Sequence, residues 1–255
     1  MVSNFGMRSQ FLWAAFFASL SPALAQTPAD QRDVSWKEVI PNILEDQREI
    51  WTFPAPLAQD HNIIPAAAFV AGAAATMAWA DPPGARYFRN SHAFNTYNSV
   101  FATTNTLLVT ALTPVPFYLA GMWKKDVKAK KTALFSAEAL ADSEVVLTVL
   151  KQVTNRERPI SIPPNGRFSD SFWDGGRRSF TTSSSFPSGH AIAAFSVATV
   201  VARRYRDHRW APFVAYGAAA AIGFSRMTLS AHFASDVLVG GVLGYSIGRF
   251  TVLRQ

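Results

Sequence analysis

Residues 183–202 read SSSFPSGHAIAAFSVATVVA, a serine-rich polar loop that passes at Pro187-Ser188-Gly189-His190 into a run of small apolar residues. The pattern predicts a loop turning into a helix at that junction. The first amide N–H groups of a helix have no intrahelical partner, and the helix dipole places partial positive charge there, so the junction is a candidate anion site. Pro187 suits a helix start, Ser188 supplies a hydroxyl, Gly189 lets backbone approach a ligand closely, and His190 adds a titratable group. Taken alone, Ser-Gly-His at a helix start is more often an ordinary N-cap. The rest of the chain has to decide between the two.

On either side of this stretch the apolar segments are rich in Ala and aromatic residues and show no strand alternation, which predicts an all-α fold. We expect a helical bundle with five or six core apolar helices and the site at one end. Its segments are 63–80, which carries Pro65; 100–123, long enough to span a bilayer and bent at Pro114 and Pro116; 132–150; 191–202; 210–224; and 237–250. The intervening loop 159–186 is long, with turn signals at Pro163-Pro164-Asn165-Gly166 and Asp174-Gly175-Gly176. Its aromatic residues Phe168, Phe172, Trp173 and Phe180 either meet an apolar part of a substrate or a membrane interface, or cover the bundle end.

The 255 residues are enough to bury a sizeable core, and the net charge of +7 favours an anionic partner. No basic repeat or nucleic-acid motif is present, so nucleic acid is not the expected partner. The absence of cysteine excludes a disulfide framework, a thiol nucleophile and Cys-ligated metal. A mean hydropathy of +0.09 lies between a soluble enzyme and a polytopic membrane protein.

Arg8, the apolar run FLWAAFFASL at 11–20 and the small-residue pattern ending at Ala25 read as a secretory signal peptide, residues 1–25. Residues 26–62 then form a polar leader. Within it Val34, Trp36, Val39, Ile40, Ile43, Leu44, Ile50 and Trp51 fall near helical spacing, interrupted at Pro41. This amphipathic piece is expected to pack on the main body, 63–255, or to lie at a membrane surface. The basic connections 123–131 and 202–210 stand at the opposite helix ends from 151–190 and 225–232. By the positive-inside rule that arrangement puts the chemistry outside the cytoplasmic membrane. A cleaved signal followed by a crossing at 63–80 would reverse it, so either that segment is re-entrant or the mature protein is wholly periplasmic.

Three clusters in order change the odds at Pro187–His190. KQVTNRERP carries Lys151 and Arg158 with six residues between them, and Pro159 ends the helical run. The Pro-Ser-Gly-His junction is the second. SRMTLSAHFASD carries Arg226, His232 and Asp236, the last two spaced to share one helical face. Alone, each has an ordinary explanation: a solvated basic helix end, an N-cap, a surface His–Asp contact. Together they place three cations, two histidines, a carboxylate and a helix N-terminus at one end of an alternating bundle.

Lys-x6-Arg-Pro, Pro-Ser-Gly-His and Ser-Arg-x5-His-x3-Asp together resemble the three-part signature of the type 2 phosphatidic acid phosphatase and vanadium haloperoxidase superfamily. The resemblance covers about 132–250 and is similar in wording to the lipid-phosphatase branch. It implies a phosphatase acting on phosphomonoester or diphosphate groups, expected to be those of a lipid or polyprenyl phosphate at the membrane. In it His232 would be the nucleophile forming a phosphohistidine, Asp236 would accept the other ring N–H, and His190 would serve as acid and then base. Lys151, Arg158, Ser188, Gly189 and Arg226 would hold the phosphoryl oxygens, with no metal or other cofactor required. A soluble periplasmic acid phosphatase acting on a small phosphoester shares these groups. So does a haloperoxidase, which would bind vanadate in the same pocket. A protein that only binds anionic headgroups would leave both histidines and Asp236 without a task.

Overall fold

The computed structural model describes residues 34–52, 63–101, 103–163, 165–172 and 184–253. The signal peptide expected at 1–25, and Trp173 and Phe180 of the long loop, lie outside these residues. In chain order the helices are α1 (Val39–Thr52), α2 (Ile63–Ala75, continued by a π-helical turn, Thr76–Ala80), α3 (Asp81–Asn90), α4 (Asn95–Val100) and α5 (Thr103–Leu112). They continue with α6 (Pro114–Trp123), α7 (Val127–Thr154), α8 (Gly189–Arg204), α9 (Ala211–Thr228) and α10 (Ala234–Ser246), the last extended by a π-helical turn, Ile247–Val252. Among the described residues there is no strand, and the expected all-α bundle is what forms.

Local chemistry sets the ends of the helices that carry the site. Asp126 caps α7, its carboxylate accepting the Ala129 N–H at 3.1 Å. Helix α7 stops at Thr154, short of Pro159, because Asn155 takes the left-handed conformation (φ 38°) and returns its N–H to the Lys151 carbonyl. Asn tolerates that backbone better than other side chains carrying a Cβ. Pro114 and Pro212 sit in the first turns of α6 and α9, where an amide hydrogen is not needed. Pro41 likewise lies in the first turn of α1 and starts that helix, so the interruption expected there is absent.

Helix α8 is central and packs on α7, α9 and α10. Its approach to α10 is close because Gly240, Gly244 and Gly248 recur every fourth residue toward it. A Cβ at Gly240 would lie 2.7 Å from the Ser188 carbonyl oxygen and one at Gly248 2.8 Å from that of Ser196, while one at Gly244 would collide with the Ile192 carbonyl. Backbones can meet this closely only when the intervening side chains are absent. The contact fixes the N-termini of α8 and α10 beside each other, which is where the site forms.

Polarity is inverted over much of the bundle. Thr132, Ser136, Glu138, Asp142 and Ser143 of α7, and Ser196 and Thr199 of α8, are buried. Val109 of α5 and Phe213 of α9 are 67% and 80% exposed. Helix α1 shows the inversion most clearly. It docks on α7 through its polar face, Asn42 donating to Glu138 and Gln47 to Asp142, each at 2.8 Å, and points Ile40 and Leu44 outward. The apolar positions read from the sequence divide: Val39 and Ile50 are partly buried against the core, whereas Trp36, Ile40, Leu44 and Trp51 face outward. By length and composition one stretch among the described residues, Asn105–Trp123, is apolar enough to cross a membrane, and little of it is buried.

Candidate functional site

The three sequence clusters meet at the end of the bundle where α7 and α9 finish and α8 and α10 begin. Three backbone hydrogen bonds join them in pairs. Ser185 donates to the Arg156 carbonyl (2.7 Å), Ser188 to the Asp236 carbonyl (3.0 Å), and Ile160 to the Ser230 carbonyl (3.0 Å). Each loop thus borrows its conformation from the other two, so the side chains they carry are placed as a set.

His232 does not share a helical face with Asp236. It precedes α10, and Asp236 stands in the first turn of that helix, where its Oδ2 accepts the Phe233 N–H at 2.8 Å. An acidic side chain at that position reaches back to the helix start, and this bends the chain so that the imidazole lies over the carboxylate. The ring Nδ1 is 2.7 Å from the Ser185 carbonyl and 3.7 Å from Asp236 Oδ2. A carbonyl oxygen can only accept, so Nδ1 carries the hydrogen and Nε2 keeps its lone pair. Asp236 is fully buried and also takes hydrogen bonds from Ser185 Oγ (2.5 Å) and Arg156 Nη1 (2.5 Å).

Burial pushes the His232 pKa below the ordinary histidine value, and the nearby Arg158 and Lys151 act in the same direction against the pull of Asp236. The imidazole is therefore neutral at neutral pH. For Asp236, burial acts to raise the pKa, but the Arg156 charge, the neighbouring His232 and the hydrogen bond from Ser185 outweigh it and hold the carboxyl below its usual value. Lys151, in the last turn of α7, is pushed down by burial and by Arg158. Arg158 is pushed down by burial while Asp236 opposes the shift. Its Nη1 also reaches the Ala231 carbonyl at 3.4 Å, beside His232.

Ser188 and Arg226 bear most directly on what the site can hold. Ser188 occupies the N-cap position of α8, yet its side chain makes no cap hydrogen bond, and its buried Oγ has no partner among the described residues. Arg226 is completely buried. It donates to Ser225 Oγ and to the Phe101 carbonyl, and its Nη1 has no partner among the described residues. Buried donors left unmade are costly, of order 1–3 kcal/mol each. Two of them at adjoining helix ends fit a bound oxyanion. Gly189 begins α8, where a Cβ would lie 2.8 Å from Leu147 of α7, and His190 follows it in the same first turn, half buried. Among the described residues no group of three or more His, Cys, Asp or Glu is placed to hold a metal ion.

Three residues that the motif reading did not single out belong to this centre. Arg156 lies in the unspecified part of Lys-x6-Arg-Pro, Ser185 belongs to the serine-rich loop, and Asp81 begins α3. Arg156 bridges Asp81 (2.7 Å) and Asp236. Only its position between two motif residues hinted at this. The near part of the long loop covers the bundle end: Phe168 is buried edge-on against Phe233, and Phe172 lies over the Arg156 guanidinium at 4.4 Å.

The helix ends of the bundle gather a buried His–Asp pair, several cations and, among the described residues, two unpartnered donors, an arrangement whose chemistry fits an oxyanion. Residues 132–255 match the model of the PAP2 superfamily. Over 70 residues, 27% of this chain, it is 38% identical to the lipid A 1-phosphatase of Porphyromonas gingivalis, and the match spans 16% of that relative's length. It is also similar to the crystal structure of a transmembrane PAP2 type phosphatidylglycerolphosphate phosphatase from Bacillus subtilis. There the identity is 18% and the TM-score 0.39, over 86% of this chain and 91% of that one.

Proposed function

We propose that this chain is a metal-independent phosphatase that hydrolyses a phosphomonoester or diphosphate group of a lipid or polyprenyl phosphate through a phosphohistidine. The observation that carries this reading is the state of His232: buried and neutral, with Nδ1–H held by the Ser185 carbonyl and Nε2 left as a nucleophile among cations. In the first step Nε2 attacks phosphorus and forms the N–P bond as the P–O bond to the leaving group breaks. His190 gives that oxygen its proton. In the second step His190 takes a proton from water, whose oxygen attacks phosphorus and breaks the N–P bond, releasing phosphate and neutral His232. Lys151, Arg158, Arg226, Ser188 and the Gly189 amide offset the charge on the phosphoryl oxygens, the work a metal ion does in other phosphatases.

Two features support a lipid substrate. The outward apolar surface of α1, α5, α6 and α9, together with the polar interior, suits a protein surrounded by acyl chains. The relative with the higher identity is named for a lipid phosphatase. Export through residues 1–25, a leader over 26–62, a catalytic domain over 63–255 and a periplasm-facing site complete the proposal.

Phosphate release from phosphatidate, a polyprenyl diphosphate and a soluble aryl phosphate, measured in chelator, tests it. Release from the lipid substrates with EDTA present is the expected result. Silence on all three rejects the function, and a preference for the aryl phosphate by protein released on osmotic shock rejects the lipid and membrane parts.

A further inference from the structure

Arg156 has no assigned part in the reaction, yet its side chain and its backbone both bond to residues of the centre. Its Nη1 donates to Asp236 Oδ1 (2.5 Å) and Ser235 Oγ (2.8 Å), its Nη2 to Asp81 Oδ2 (2.7 Å), and its Nε to Ser171 Oγ (3.0 Å). The guanidinium lies between the rings of Phe233 (4.0 Å) and Phe172 (4.4 Å). Its main chain is engaged as well: the N–H donates to Ser184 Oγ (2.9 Å) and the carbonyl accepts from Ser185 N. One residue therefore holds both partners of His232, the Asp236 carboxylate through its side chain and the Ser185 carbonyl through its backbone.

Asp81 completes the arrangement from outside the PAP2-matched segment. Its Oδ1 accepts the Ser235 N–H (2.9 Å) and its Oδ2 the Ser235 hydroxyl (2.5 Å), so it grips both Arg156 and the first turn of α10. Asp81 is 1% exposed and Arg156 3%. A desolvated guanidinium facing one carboxylate would swing toward it, whereas a second carboxylate opposite fixes the fork in place. We propose that Asp81 and Arg156 are a buried positioning pair that sets the orientation and charge of Asp236, and through it the reactivity of His232. This deepens the phosphatase reading and rests on it for its catalytic meaning. Neither residue touches the substrate.

The charges around His232 make the pair separable from a purely structural brace. Asp236, Lys151 and Arg158 are the charges that act on the imidazole, and Arg156 and Asp81 stand behind Asp236. Removing the Arg156 cation makes the surroundings more negative and favours imidazolium. Removing the Asp81 anion does the opposite.

The experiment uses the full chain in detergent, with Arg156→Met, Arg156→Lys and Asp81→Asn, and reads two quantities. Ring-nitrogen NMR of His232 gives its titration midpoint without any need for turnover. Phosphate release gives kcat, KM and the pH profile. Arg156→Met is expected to raise the midpoint by about one pH unit or more and Asp81→Asn to lower it. Both are expected to reduce kcat at least tenfold with KM within threefold, and Arg156→Lys to recover part of the loss. Midpoints that stay put, or move in the same direction in both variants, overturn the proposal, as does a kcat within twofold of the unsubstituted enzyme. If Arg156→Met does not fold, Asp81→Asn, which preserves volume, decides alone. If the unsubstituted protein releases no phosphate, the phosphatase reading fails while the His232 midpoints still decide this one.

Discussion

The Nδ1 of His232 lies closer to the Ser185 carbonyl than to the Asp236 carboxylate, 2.7 Å against 3.7 Å. The carbonyl alone is enough to fix the tautomer, so in the proposed mechanism Asp236 would stabilise the cation formed when Nε2 bonds to phosphorus. The two substitutions should therefore differ in severity. His232→Ala removes the proposed nucleophile and is expected to lower kcat on the order of 10³-fold or more. Asp236→Asn keeps the tautomer and loses the charge, so a loss on the order of 10²-fold is expected. Rapid-quench capture of labelled phosphoenzyme checks both. It should vanish in His232→Ala and form slowly in Asp236→Asn, and an equally stable phosphoenzyme in His232→Ala would place the nucleophile elsewhere.

Burial, reinforced by Arg158 and Lys151, lowers the His232 pKa, and this has consequences for rate and for stability. The limb of kcat/KM that reports protonation of the proposed nucleophile should lie below pH 6.5, so activity persists where an exposed histidine would already be charged. For stability, the unfolded chain binds this proton at a higher pH than the folded one, so the folded state is disfavoured as pH falls below about 6.5 and gains nothing further above it. Asp236, also lowered, adds a loss in the same direction below its ordinary value of 3.8. Melting temperatures from pH 8 to 5, compared with His232→Gln, check the sign: the substituted protein should show the flatter profile.

Ser188 offers a case where activity and stability should part. Its Oγ is buried without a hydrogen-bond partner, so Ser188→Ala removes an unmet donor and is expected to leave the melting temperature unchanged or raise it. The same hydroxyl is proposed to hold a phosphoryl oxygen, and its loss should lower kcat/KM roughly tenfold to a hundredfold. Calorimetry and phosphate release on one preparation test the pair of outcomes. A variant that is less stable and fully active would mean that Ser188 only packs the helix start.

The motif residues were legible because each sits at a helix end whose spacing is local: Lys151 with Arg158, Ser188 with His190, Arg226 with His232. Alternation of the helices then brings those ends together. Asp81 and Arg156 were not legible, since they are 75 residues apart in sequence and meet only through the tertiary fold. The end of α7 was misplaced at Pro159 because the left-handed Asn155 stops the helix first. The sense of α1 was hidden for a different reason. The inward side of α1 is mixed, Asn42 and Gln47 finding their partners on α7 while Val39 and Ile50 pack on the core, so no apolar stripe marks it.

The glycines of α9 and α10 predict opposite responses to the same substitution. At Gly244 a Cβ would run into the Ile192 carbonyl and lie 2.9 Å from the Ser196 amide, both backbone groups of α8 that cannot rotate away. Gly244→Ala must therefore push α10 from α8, at a cost of about 1–3 kcal/mol. The displacement also pulls Asp236 from its contact with the Ser188 amide, so turnover should fall along with stability. Gly217, in α9, has nothing within 4 Å of its added carbon. Gly217→Ala gains helix propensity and should stabilise by about 0.5–1 kcal/mol with turnover unchanged. Thermal unfolding in detergent measures both. Equal effects at the two positions would show that the α8–α10 approach does not depend on the missing side chain.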